Sequence, residues 1–144
     1  MDPGRPGWLF VELWSTARHS VRLVADLLAQ EGVSDDELAC LLQLSAAPDG
    51  LTVTEIAAAM GVPFMSASDA VGRLEQAGDV ERAQHPRDRR STLIRLTKRG
   101  ARRAEAAGAL LDRLSRSLTR SAGTTPASAR AELARLADVF THDP

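Results

Sequence analysis

The sequence has few of the residues that carry chemistry in small proteins. It has no tyrosine, a single cysteine, Cys40, and aromatic residues amounting to 3% of its 144 positions. One cysteine excludes an internal disulfide, and the three histidines stand too far apart for the usual metal-ligand spacings. No paired carboxylates, nucleophile with an adjacent base, or phosphate-binding loop can be recognised. These absences argue against an enzyme and predict no cofactor and no metal.

Long apolar runs and an N-terminal targeting pattern are also absent. No segment approaches the ~18 consecutive apolar residues of a membrane span. The N-terminus, MDPGRPGWLF, lacks the basic start, apolar core and small-residue cleavage site of a signal peptide. We therefore expect a cytoplasmic protein without membrane contact. A chain of 144 residues is most simply one domain, residues 1–144.

Charge is balanced overall but unevenly distributed. The formal net charge is −1, yet residues 81–120 carry twelve Lys or Arg against four Asp or Glu, and the remaining residues carry six against fifteen. In the densest part, PRDRRSTLIRLTKRG at 86–100, a lone acid, Asp88, stands among six basic residues. Such segregation is typical of a surface for a polyanion. A solvated basic face on an arginine-rich protein is the alternative.

Apolar periodicity and capping motifs predict a mainly helical chain. In the first helix apolar residues recur at steps of three and four, and their wide arc predicts burial against more than one neighbour. Two capping boxes, SDDE at 34–37 and TVTE at 52–55, begin the next two helices. The expected helices cover about 8–30, 34–47, 52–60, 64–77, 97–122 and 126 onwards.

Two short strands, at 79–84 and 92–96, are expected around the polar loop HPRDRRS. The third and fourth helices before them are separated by a tight turn, which is typical of a helix-turn-helix. A hairpin directly after it predicts the winged variant. The expected fold class is mainly α with a small β-hairpin wing. Residues 34–97 would form the winged helix-turn-helix, and residues 8–33 and 98–142 the dimerisation helices.

The second helix of a helix-turn-helix enters the major groove of DNA, so the outward side chains of the helix over 64–77 are candidate DNA contacts. These are Met65, Ser66, Ser68, Asp69 and Arg73. The serine hydroxyls can bind phosphate or base edges, and arginine can read guanine. For Arg73, an inward ion pair with Glu75 or with a neighbouring helix competes equally with DNA contact. Asp69 repels phosphate but can accept a hydrogen bond from cytosine N4.

The loop arginines Arg87, Arg89 and Arg90 are expected to contact DNA. They can neutralise phosphates, and one at the loop tip can enter the narrow minor groove. Asp88 can accept hydrogen bonds from a neighbouring arginine or from loop amides and so orient the wing. A simple turn-forming aspartate is the alternative.

A set of landmarks along residues 51–100 is specific in combination: Leu51-Thr52, Glu55-Ile56-Ala57, Gly61-Val62, Arg73-Leu74-Glu75, Ala77-Gly78, Val80-Glu81-Arg82, Asp88-x-Arg90, and Leu96-Thr97 with Gly100. This pattern resembles the DNA-binding core of the multiple-antibiotic-resistance-regulator (MarR) family. The resemblance implies a homodimeric winged-helix transcription regulator on a pseudo-palindromic operator in double-stranded DNA. It further implies a repressor that a small-molecule effector releases. By position, Asp88 would orient the wing and Arg90 would insert into the minor groove, with Arg87 and Arg89 on phosphates.

The chain departs from the family pattern around the recognition helix. Pro63 stands where a polar cap is usual, so that capping could fall to Ser66 and shorten the helix. Asp69 replaces a frequent arginine, and Asp79 replaces a common leucine. These departures support a second hypothesis, a winged-helix protein-interaction module that has lost specific DNA binding.

Other candidate residues lie outside this core. Trp14 and His19 are the candidates for a ligand cavity, although packing is the commoner role of such residues. Cys40 stands among leucines with no nearby base, which favours a core position over an oxidant sensor. The basic start of the long helix, formed by Lys98, Arg99, Arg102 and Arg103, is expected to be a solvated face rather than a set of direct DNA contacts.

Overall fold

The computed structural model describes residues 7–29, 32–86, 88 and 90–142, with side chains at 26–29, 136 and 138–142 outside the described part. The elements in chain order are α1 (Trp8–Ala29), α2 (Asp35–Ser45), α3 (Val53–Met60), α4 (Phe64–Gln76), β1 (Val80–Gln84), β2 (Thr92–Leu96), α5 (Lys98–Ser121) and α6 (Pro126–His142). They confirm the expected fold class, a mainly helical winged helix-turn-helix.

Two compact units make up the chain, Met1–Ala104 and Glu105–Pro144. The first contains the winged helix-turn-helix. The domain boundaries expected from the sequence stay a prediction.

The capping boxes begin α2 and α3 where the sequence places them. Ser34 Oγ accepts a hydrogen bond from the Glu37 amide at 3.2 Å, and Glu37 Oε2 accepts one from the Ser34 amide at 3.1 Å. Thr52 and Glu55 make the equivalent pair at 3.2 and 2.8 Å. The bond from the Thr52 amide, followed by that from its hydroxyl, holds the pKa of Glu55 below its usual value. Both helix starts are therefore fixed by local hydrogen bonds.

We expect Thr52→Ala to lower the free energy of unfolding by about 1 kcal/mol, because it leaves the Glu55 amide without its side-chain acceptor. Urea denaturation at one protein concentration measures the change. The matched control is Thr54→Ala, an exposed position two residues on in the same helix, which should cost nothing because alanine is the better helix former. Equal losses in the two variants would contradict a capping role.

The start of α4 differs from one expectation. The helix begins at Phe64, with Pro63 as its N-cap at φ −58° and ψ 148° and without a side-chain cap. The suggestion that Ser66 would cap and shorten the helix is therefore wrong. The proline ring fixes φ at a value that suits the residue before a helix, and the Pro63 carbonyl still accepts from the Ala67 amide at 3.3 Å.

The core of the first unit lies between α2, α3, α4 and the hairpin. Its largest fully buried apolar side chains are Leu41, Leu44, Ile56, Val71, Leu74 and Ile94. Cys40 is fully buried in the same cluster, and burial raises the pKa of its thiol to about 11. This confirms the core position, and a thiol so protonated at neutral pH is unsuited to oxidant sensing.

The wing is anchored to the helical core by a third extended segment. β1 and β2 pair antiparallel along their full lengths, and Leu51 bridges to Ile94 through hydrogen bonds of 3.1 and 2.7 Å. Gly50, just before the bridge, has φ +90°, and a Cβ there would lie 2.7 Å from the Ile94 carbonyl oxygen. Only glycine suits this position, so the turn between α2 and α3 is fixed against the wing.

The apolar arc of α1 is exposed in the single chain. Trp14 is 66% exposed and Phe10 61% exposed, and Leu9, Val21 and Leu23 are also open to solvent. The sequence pattern predicted burial of this arc against more than one neighbour, which one chain does not provide. No helix in the described part of the chain is long and apolar enough to cross a membrane.

Candidate nucleic-acid interface

The two faces of α4 differ sharply. One face packs into the core through Ala67, Ala70, Val71 and Leu74. The opposite face carries the predicted contact residues: Met65 is 65% exposed, Asp69 is exposed, and Ser66 and Ser68 are half-buried. Met65, Ser68 and Asp69 share this face because they are three and four residues apart. The structure thus brings four predicted residues together on the face away from the core.

The fifth predicted residue of the helix, Arg73, is engaged within the protein. Its Nε lies 2.6 Å from Glu37 Oε1, and the two side chains are 50% and 12% exposed. Glu37 therefore both caps α2 and holds α4. This is the inward ion pair with a neighbouring helix that the sequence left open. Glu75 instead pairs with Arg82 of β1 at 3.0 Å, and a DNA contact of Arg73 stays a prediction.

Asp88 organises the wing loop. Its carboxylate accepts hydrogen bonds from the Arg90 amide at 3.0 Å and from the Ser91 hydroxyl at 2.6 Å. These bonds, the Ser91 hydroxyl first, hold the pKa of Asp88 below its usual value. The Asp88 amide donates to Nδ1 of His85 at 3.1 Å, and the His85 amide donates to the Ser91 carbonyl at 3.1 Å. The loop is thus closed by hydrogen bonds centred on Asp88.

These contacts match one of the two expectations for Asp88, that its carboxylate accepts hydrogen bonds from groups of the loop. Among the residues that the structure describes, the Asp88 carboxylate binds an amide and a hydroxyl rather than a guanidinium. Arg90 is exposed, and its backbone is fixed by Asp88. Arg87 and Arg89 lie outside the described residues, so their roles stay predictions.

An ion-pair cluster around the buried Asp79 joins the segment between α4 and β1 to Arg99 and Arg103 on α5. Asp79 is fully buried, and Arg103 Nη1 donates to its Oδ2. Arg99 Nε lies 3.1 Å from Oδ1, an atom without a hydrogen-bond partner in the described part of the chain. The expectation of a solvated face is therefore wrong for Arg103, whose side chain is 26% exposed, and Arg99 is paired as well as 67% exposed.

Sequence reasoning registered Asp79 only as a departure from leucine. The spacing of the two arginines, four residues apart on one helix face, was the signal that they could share a single acid.

The two ligand candidates meet in a shallow groove on α1. The groove has a volume of about 280 Å³, and its lining includes Trp14, Ser15, Arg18 and His19. The Arg18 guanidinium lies 5.4 Å from the Trp14 ring centroid, within cation–π range. His19 Nδ1 lies 2.7 Å from the Ser15 carbonyl oxygen. A ligand-binding role for Trp14 and His19 stays a prediction. The described residues include no cluster of three or more His, Cys, Asp or Glu suited to a metal ion.

Solved structures share the fold over most of this chain. The MepR–DNA complex of Staphylococcus aureus is 22% identical and covers 92% of this chain and 96% of its own, with a TM-score of 0.74. CouR from Rhodococcus jostii RHA1, bound to p-coumaroyl-CoA, is 24% identical over 92% and 91%, with a TM-score of 0.76. The transcriptional regulator BldR from Sulfolobus solfataricus is 19% identical over 91% and 94%, with a TM-score of 0.79. At these identities the likeness shows the fold.

Sequence comparison gives a family match over part of the chain. No curated protein sequence matches the chain. The model of the MarR family matches residues 31–91, the segment that holds α2, α3, α4, β1 and the wing loop. This match covers most of the landmarks on which the resemblance rests. Residues 31–91 therefore match the MarR family in sequence, and they lie in a chain that shares its fold with solved transcription regulators.

Proposed function

We propose that the protein is a homodimeric, sequence-specific transcription regulator that acts in the cytoplasm on a pseudo-palindromic operator in double-stranded DNA. The observation that carries the proposal is the wing loop, in which Asp88 fixes the backbone of the exposed Arg90 directly after a helix-turn-helix. The proposed DNA contacts are Met65, Ser66, Ser68 and Asp69 on α4 and Arg87, Arg89 and Arg90 on the wing. The proposed role is binding, without catalysis.

Charge supports a polyanionic partner and helps to place it. Residues 81–120 carry twelve basic and four acidic residues. Arg99 and Arg103 in this segment are already paired with Asp79. We therefore place the main phosphate contacts on the wing loop rather than at the start of α5, and we expect the affinity to fall steeply with salt.

The exposed apolar arc of α1 supports the dimer. Contiguous apolar surface of this kind marks a protein interface, and an isologous pair would bury the same arc of both chains. Two copies would also present two recognition helices, which is the arrangement that reads the two half-sites of a palindrome.

An effector that releases the DNA is the remaining part of the proposal, and it would make the protein a repressor relieved by a small molecule. CouR, which shares the fold, was solved with p-coumaroyl-CoA bound. In this chain the α1 groove that holds Trp14 and His19 is the candidate site.

Arg90→Ala tests the wing. We expect it to weaken binding to the DNA that flanks the protein's own gene by about 1–3 kcal/mol, roughly fivefold to 150-fold, and to reduce the salt slope by about one. Fluorescence anisotropy over a salt series measures both quantities. The matched control is Arg116→Ala, which removes the same charge from an exposed position on α5. An equal loss in the control would show that net charge, and not the wing, sets the affinity.

A second candidate function is a winged-helix protein-interaction module without specific DNA binding. The exposed acid Asp69 on the recognition face favours it, because an acid there repels phosphate. In that case neither the wild-type protein nor Arg90→Ala would bind the flanking DNA above a non-specific level.

A further inference from the structure

α4 exposes two large apolar side chains at its start. Phe64 is 52% exposed and Met65 is 65% exposed. Within residues 32–86, 88 and 90–104 no other large apolar side chain is as exposed; the remaining ones lie on α1, α6 and the far part of α5. The pair therefore stands apart from the apolar arc assigned to the dimer. It lies on the first turn of the helix that the proposed function places in the major groove, where the N-terminal residues of a recognition helix meet base edges.

The same helix offers no free cation for reading guanine. Its first nine residues, FMSASDAVG, contain no Lys, Arg, Asn or Gln. Its single arginine, Arg73, is held by Glu37 at 2.6 Å. In the major groove, Arg and Lys select guanine, Asn and Gln select adenine, Asp and Glu accept from cytosine N4, and apolar groups pack on the thymine methyl. Apart from Ser66 and Ser68, whose hydroxyls can bind either kind of base, the exposed groups of α4 are therefore those that select thymine and cytosine.

We propose that Phe64 and Met65 read thymine by packing on its C5 methyl groups in the major groove. Asp69 lies four residues after Met65, about 6 Å along the helix axis, and would accept from the N4 amino group of a cytosine within about two base pairs of that thymine. The inference deepens the proposed function and rests on it. It gives the apolar pair Phe64 and Met65, which would not be expected to bind a charged polymer, a role in selecting the operator sequence.

Uracil-substituted DNA tests the inference directly, because deoxyuridine lacks only the C5 methyl group and pairs as thymidine does. The fragment flanking the protein's own gene is amplified with dTTP or with dUTP, and the affinity of the full-length protein is measured for both. We expect the wild-type protein to bind the uracil fragment more weakly, by roughly fourfold for each buried methyl, which corresponds to about 0.8 kcal/mol. Partial substitution followed by uracil-specific cleavage locates the thymines that matter.

Protein variants separate a methyl contact from an effect of uracil on DNA shape. Phe64→Ala and Met65→Ala change exposed side chains and leave the core intact. We expect each to weaken binding to thymine DNA and to reduce the difference between the two fragments, and the double variant to abolish it. The control is Arg90→Ala, which should weaken binding to both fragments equally and keep their ratio.

The outcomes distinguish the inference from the function on which it rests. Equal binding of both fragments by the wild-type protein, with Arg90→Ala still weaker, would overturn the inference and leave the proposed function standing. A thymine preference that survives in the double variant would overturn it as well, because DNA shape would then be the cause. Loss of self-association in the double variant with the preference unchanged would assign the pair to a protein contact. Failure of the wild-type protein to bind either fragment would overturn the proposed function itself.

Discussion

Gly100→Ala is expected to lower the free energy of unfolding by about 3 kcal/mol, the upper part of the usual range for overpacking. The Cβ that alanine adds would lie 1.9 Å from the carbonyl oxygen of Asp79 and 2.8 Å from its carbonyl carbon. Both atoms belong to the backbone, so no side-chain rotation relieves the clash. That backbone is itself held, since the Thr97 amide donates to the Asp79 oxygen at 3.0 Å. Against a total stability of about 5–15 kcal/mol the loss is large.

The expected loss of stability is informative because replacing a glycine within a helix by alanine usually has the opposite effect. A glycine inside a helix normally costs about 0.5–1 kcal/mol relative to alanine, so its replacement should stabilise. Gly108 lies in the same helix and has nothing within 4 Å of the Cβ it would gain. We expect Gly108→Ala to be neutral or stabilising where Gly100→Ala destabilises. Urea denaturation of both variants at one protomer concentration checks this. Equal stability of Gly100→Ala and the wild type would show that α5 does not pack this closely on Asp79.

The same contact explains how much the sequence could reveal at this point. Thr97 and Gly100 were recognised as landmarks, and the helix after them was expected from about the right residue. Their physical roles come only from the fold: the Thr97 hydroxyl donates to the Gly78 carbonyl at 2.7 Å and accepts from the Gly100 amide at 3.1 Å. The neighbours lie about twenty residues back along the chain, a distance that no local pattern encodes.

Local signals explain what was predicted well. The starts of α2 and α3 follow from hydrogen bonds between residues three apart, and the inner face of α4 follows from helical periodicity. The exceptions depend on distant or external partners. The regular spacing of apolar residues in α1 predicts a buried face, yet in the single chain Trp14 is 66% exposed. Pro63 looks like a missing cap, yet its ring geometry lets α4 begin at once.

The candidate site shows the same division. The sequence placed five candidate contact residues on the outward side of α4 and a lone acid at the centre of the wing, and in the structure four of the five and the acid lie where the pattern indicates. For Arg73 the sequence could not decide between DNA and an ion pair, because its partner Glu37 is on another helix. The sequence showed Asp79 only as a departure from the family pattern. Its ion pairs could not be predicted, because the two arginines that reach it lie about twenty residues further along the chain, on α5.

Arg103→Met is expected to lower the free energy of unfolding by about 3–5 kcal/mol, because it removes the chief partner of a fully buried carboxylate. Asp79 cannot reach water, and its other partner, Arg99, is 67% exposed. Arg99→Met should therefore cost only about 0–1 kcal/mol. Chemical denaturation of both variants at one protomer concentration measures the difference.

The double variant Asp79→Leu with Arg103→Met then separates an ion pair from mere packing. Replacing both members of a buried pair by apolar side chains of similar volume is often neutral or stabilising, so this variant should recover most of the stability that Arg103→Met loses. No recovery would show that Arg103 acts through its other contacts, such as that with the Gly32 carbonyl. Recovery would show that the acid is tolerated at position 79 only because α5 supplies the arginine. The two residues would then be a compensated pair that joins the segment after α4 to the start of α5 by charge.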